Sequence, residues 1–102
     1  MAERTIDDIL DEISEYNGKN DKATHEKWLE VADISKKTGD TEFHVIGLMN
    51  AAMLACKTGD INLCMELMAA AEAVDEKIWA KYMEKPHMQK LLQVLGNAGV
   101  LN

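Results

Sequence analysis

KTGDTEFHVIGLMNAAMLACKTGD, residues 37–60, opens and closes on the same four residues, Lys37-Thr38-Gly39-Asp40 and Lys57-Thr58-Gly59-Asp60. Each copy has the makeup of a helix end followed at once by a helix start. Lysine suits the negative pole of the helix dipole, glycine takes the left-handed conformation that stops the helix, and aspartate caps the next one. Between them, from Glu42 to Lys57, the chain is apolar almost all round: Phe43, Val45, Ile46, Leu48, Met49, Met53 and Leu54 leave no polar face. A helix of that kind must be covered on several sides. It is placed at the centre of the fold.

Working outward, Gly18 makes a third stop, so stops recur at intervals of 21 and 20 residues. The first helix is expected from Ile6 to Tyr16, capped by Thr5 and ended by Asn17-Gly18, with Ile6, Ile9, Leu10, Ile13 and Tyr16 on one stripe. The second is expected from Lys22 to Lys37, burying Trp28, Leu29, Val31, Ala32 and Ile34. Asp60 and Asp75 cap a fourth helix from Ile61 to Val74 and a fifth from Glu76 to Glu84. Pro86 opens a sixth that reaches about Leu95, with Ala98 to Asn102 as a short tail. No stretch alternates as a strand does. The fold class is therefore all-α, one domain over residues 1–102, an antiparallel bundle of five to six helices joined by short turns. Gly47 lies inside the central helix, where glycine costs about 1 kcal/mol against alanine. Close approach of a neighbouring helix accounts for it.

A fixed period of one helix and one turn is also the mark of a helical array. The stretch Val45 to Ile78 resembles the tetratricopeptide repeat: small residues at Ala51, Ala52 and Ala55, the turn Thr58-Gly59-Asp60, Cys64 and Ala71 at small sites, Met68 at an aromatic site, and the closing pair Val74-Asp75. It departs at Leu48, Ala52 and Glu76, where an aromatic, a glycine and a proline are usual. A second, offset match sets Trp28 eleven residues before Gly39. The resemblance covers about a third of the chain. It implies helix-hairpin packing and a peptide-binding role, and carries no peptide-carboxylate clamp onto these asparagines and lysines.

The net charge of −7 disfavours direct nucleic-acid binding, which needs clustered Lys and Arg. The longest uncharged run, Phe43 to Cys56, is too short to span a bilayer. The acidic N-terminus has no signal-peptide pattern, so a cytoplasmic setting with Cys56 and Cys64 as free core thiols is expected. No catalytic residues, metal ligands or cofactor are expected: His25, His44 and His87 are scattered, and the two cysteines lie eight apart across a helix end. His44, beside Phe43, reads as a partly buried, hydrogen-bonded histidine.

Two surfaces are left as partner-binding candidates. Asp7, Asp8, Asp11, Glu12 and Glu15 follow the solvent face of the first helix and offer an acidic patch to a basic partner. Met49, Met53, Met65 and Met68 concentrate on the third and fourth helices. Methionine is mostly a core filler, but apolar surface in excess of its cover marks a groove or a homodimer face. The expected function is a non-enzymatic protein–protein interaction module. The alternative is a small acidic inhibitor, of the kind phages and mobile elements encode, that blocks the nucleic-acid-binding surface of a host defence or replication protein.

Overall fold

The computed structural model describes residues 5–16 and 18–97. Among them are six helices and no strand: α1 Ile6–Tyr16, α2 Asp21–Thr38, α3 Thr41–Lys57, α4 Ile61–Val74, α5 Glu76–Met83 and α6 Pro86–Asn97. They form a compact body of 48 × 31 × 22 Å. Arg4, Glu3, Asn17 and the tail from Ala98 lie outside the described residues.

The turns come out as their composition dictates. Gly39 and Gly59 stand at φ of 80° and 94°, and the next amide reaches back into the helix just ended, Asp40 N–H to Ser35 O at 2.9 Å and Asp60 N–H to Ala55 O at 2.8 Å. The same aspartates then cap forward, to Phe43 N–H and Leu63 N–H, each at 3.1 Å. Asp75 caps α5 through Ile78 N–H at 3.0 Å. Each cap is worth about 1 kcal/mol. The expected Thr5 cap of α1 is present and Asp8 completes it as a reciprocal box, each side chain accepting the other's amide; one further cap, Asn20 to Ala23 N–H, starts α2.

Helix α3 occupies the centre. It buries nine residues and packs against α2, α4, α5 and α6. The main core joins α3 to Cys64, Met68 and Ala71 of α4, Tyr82 and Met83 of α5, and Met88, Leu91 and Leu95 of α6. A second cluster, Ile9, Ile13 and Val31, with Trp28, Ile34 and Phe43 packed on it, seats α1 on α2. Helix α2 therefore has two neighbours on different sides, which widens its buried face to include Thr24 and Ser35.

Helices α2 and α3 touch backbone to backbone at Gly47. A β-carbon there would stand 2.8 Å from Ala32 N and 2.9 Å from Trp28 O. Neither atom can yield without moving helix α2. The close approach expected from the sequence is thus present, and it offsets the helix propensity lost to glycine. Along this seam Asp21 meets Lys57 at 3.4 Å, His25 Nδ1 meets Ala51 O at 2.8 Å, and Trp28 and Ala32 meet Gly47.

Gly47→Ala should lower stability by about 1–3 kcal/mol, because overpacking against backbone outweighs the gain in helix propensity. Urea unfolding followed by circular dichroism reads it as a lower midpoint. An unchanged or raised midpoint would show that the seam is looser than described.

Candidate functional site

Of the sequence-expected acids, Asp7, Asp11 and Glu15 are exposed on the outer face of α1. Asp8 belongs to the α1 cap, and Glu12 lies 3.5 Å from Lys27 of α2. Those two serve to hold α1 in place, and only the other three form an outward stripe.

The methionine surface needs correction. Met49 is fully buried and Met68 is 7% exposed, so both lie in the core and offer nothing to a partner. Met53 and Met65 are half-buried and pack against the same core. Among the described residues the exposed large hydrophobics are Tyr16 and Val94, on neither helix. The physical reason is size. Much of the apolar character of α4 comes from alanine, and Ala69, Ala70 and Ala73 take the outward positions while the bulky side chains turn in.

The structure instead forms a concavity of about 620 Å³ between α3 and α5. Its α3 wall is one helical face, Glu42, Ile46 and Asn50 at intervals of four. Its α5 wall is Ile78, Lys81 and Tyr82; Lys85 of the turn after α5, Trp28 of α2 and His87 of α6 also line it. Apolar surface from Trp28, Ile46 and Ile78 lies beside a chain of hydrogen bonds. Asn50 Nδ2 donates to Ile46 O at 2.9 Å and to the Tyr82 hydroxyl at 2.8 Å. That hydroxyl lies 3.3 Å from His87 Nε2. The His87 ring meets the Tyr82 ring edge-on at 5.6 Å, and the Lys85 ammonium sits 5.5 Å from the Tyr82 ring centroid.

The electrostatics follow from burial. Desolvation pushes the Tyr82 phenol above its ordinary value, and the hydrogen bond from Asn50 offsets part of the rise. Desolvation, then the neighbouring charge of Lys85, holds His87 below the usual histidine value. A neutral His87 can accept at Nε2, and the Tyr82 proton is assigned there. Lys81 and Lys85 are exposed, and neither joins an ion pair among the described residues. His44 is likewise held low, by burial and then by Lys36, but it lies outside the groove.

In the sequence Trp28 and Ile46 read as buried apolar residues and His87 as isolated, and the groove is not assembled from them. The available signal was Asn50, a carboxamide in the middle of the most apolar helix, which demands a partner when buried. Tyr82 supplies it from 32 residues away.

The cysteines lie on either side of the α3–α4 turn. Cys64 is buried and Cys56 half-buried. Burial, with Cys56 alongside, pushes the Cys64 thiol up to about 11. No described helix is long and apolar enough to cross a membrane. Comparison with protein-family models, curated proteins and solved structures finds no match to this chain.

Two outcomes follow for folded protein. With a thiol-selective reagent at mildly alkaline pH, Cys56 should react quickly and Cys64 only at the rate of unfolding; equal rates would contradict the burial of Cys64. Tyr82→Phe leaves an Asn50 donor without its partner and should lower stability by about 1–2 kcal/mol in urea. No loss would mean that solvent already satisfies Asn50.

Proposed function

We propose that this chain is a non-enzymatic protein-interaction module that holds an extended segment of a partner protein in the groove between α3 and α5. One observation carries the reading: the groove sets apolar surface, a fixed polar chain and two lysines without an ion pair among the described residues side by side around the core helix α3. Peptide grooves use that division of labour, apolar contacts for affinity and a few fixed polar groups for register.

The packing that supports it is an antiparallel, tetratricopeptide-like arrangement. Contacts between α2 and α3 run in opposite senses along the two helices: residue 21 meets 57, 25 meets 51, and 28 and 32 meet 47. The turn Thr58-Gly59-Asp60 relates α3 to α4 in the same style as the turn before it. Helices α3 and α5 then stand side by side as the first members of two successive pairs, α3 with α4 and α5 with α6. In this reading the acidic stripe of α1 is a solvent face, and a reducing cytoplasmic setting keeps both cysteines as thiols.

The test is affinity capture from the native host, with the captured protein identified by mass spectrometry and its binding measured against purified variants. Lys81→Glu with Lys85→Glu should weaken binding at least about tenfold, while Asp7→Lys, Asp11→Lys and Glu15→Lys together leave it within about twofold. The reverse pattern would replace this reading with the acidic inhibitor that blocks a basic surface.

A further inference from the structure

Resting on the groove reading above, we infer that the groove's occupant is an acidic segment of a partner protein, and that His87 couples its binding to proton uptake. The first half comes from charge. Residues 76–97 carry Lys77, Lys81, Lys85 and Lys90 against Glu76 and Glu84, a net of +2 in a chain of net −7. Lys81 near the end of α5 and Lys85 in the turn that follows it both line the groove. Glu42 stands on the opposite wall, so the two sides differ in sign. A segment with carboxylates along one side and apolar groups along the other meets the lysines with the first and Trp28, Ile46 and Ile78 with the second.

The second half comes from the hydrogen-bond chain. With His87 neutral the chain is closed: Asn50 donates to the Tyr82 oxygen, and Tyr82 donates to His87 Nε2. When His87 takes up a proton, Nε2 becomes a donor. The Tyr82 oxygen then accepts from both Asn50 and His87, and its own hydrogen turns away from the chain. The site gains a positive charge and a free O–H donor, both suited to a carboxylate.

The groups around His87 set the balance. Helix α5 brings Lys81 and Tyr82, the turn after it brings Lys85, helix α3 brings Asn50 and Glu42, and helix α2 brings Trp28. In the empty groove desolvation opposes the proton most, and the charge of Lys85 opposes it further. A bound carboxylate offsets the charge of Lys85 and attracts the imidazolium directly. By linkage, the segment that raises the proton affinity of His87 binds more tightly as pH falls. The tightening begins near the bound-state midpoint and levels off below the free-state midpoint, which lies under the ordinary histidine value.

The probe is an acetylated, fluorescein-labelled peptide of alternating aspartate and leucine, about ten residues long, whose side-chain carboxylates stay ionised down to about pH 5. Fluorescence anisotropy against the full chain, at about pH 7.5 and about pH 5.5, should give binding about three- to tenfold tighter at the lower pH. His87→Gln should flatten that ratio to near one, and Tyr82→Phe, which removes the O–H donor but keeps the imidazole, should reduce it, with folding confirmed by circular dichroism. His25→Gln and His44→Gln should retain it, which separates the effect from the general loss of negative charge. Lys81→Glu with Lys85→Glu should abolish binding at both pH values.

The failures are distinct. If the lysine variant holds the probe as the unaltered chain does, the groove reading falls and this inference with it. If the lysines are required but His87→Gln keeps the full pH ratio, the proton coupling alone is overturned. If the unaltered chain fails to bind the probe up to about 1 mM at either pH, the acidic class of occupant is wrong, while the partner measurements with lysine variants still decide the groove.

Discussion

The approach of α2 to α3 at Gly47 is the constraint on which the remaining architecture depends. With a missing β-carbon as the only clearance, the two helix backbones come within van der Waals contact of each other. That proximity brings Trp28 close enough to α3 to share a concavity with Ile46 and Asn50. It also leaves the opposite side of α3 to α4 and its flank to α5 and α6. A larger residue at position 47 would separate α2 from α3, and every helix that packs on α3 would have to settle again.

The helix plan was legible because it is written locally. A glycine at positive φ and an aspartate one residue later act within a single turn, so Thr38-Gly39-Asp40 and Thr58-Gly59-Asp60 fix two helix boundaries without reference to the rest of the chain. The central place of α3 followed from its lack of a polar face, and Gly47 announced a close contact through its poor helix propensity. Boundaries moved by a residue or two: α2 begins at Asp21, α5 ends at Met83 and α6 runs on to Asn97.

The candidate site was much less legible, since it depends on residues far apart in sequence. Asn50 and Tyr82 are 32 positions apart, and nothing in either neighbourhood says that one will satisfy the other. The methionines misled for a related reason. Composition shows that α3 and α4 are rich in apolar atoms but not which of them point inward, and here Met49 and Met68 do. The acids of α1 lay where their periodicity put them, yet Asp8 and Glu12 turned out to cap and anchor the helix. A pattern of charge distinguishes a face from a core; it does not distinguish a recognition face from a structural one.

The walls of the groove are fastened to one another in the empty chain. Tyr82 ties α5 to α3 through Asn50, and Gln89 Nε2 donates to Met83 O at 2.7 Å, which pins the start of α6 to the end of α5. Asp75 at the head of α5 and Lys85-Pro86 at its foot limit that helix to eight residues, so it has little length over which to bend. Binding to such walls spends little free energy on ordering the protein, and weak individual contacts can then add up to useful affinity. The polar chain has a second consequence. Its end group is a histidine whose proton affinity is lowered by desolvation and then by Lys85, so in the proposed reading the feature that braces the groove also responds to the charge of what enters it. The bracing and the proposed response thus reside in the same three side chains, Asn50, Tyr82 and His87.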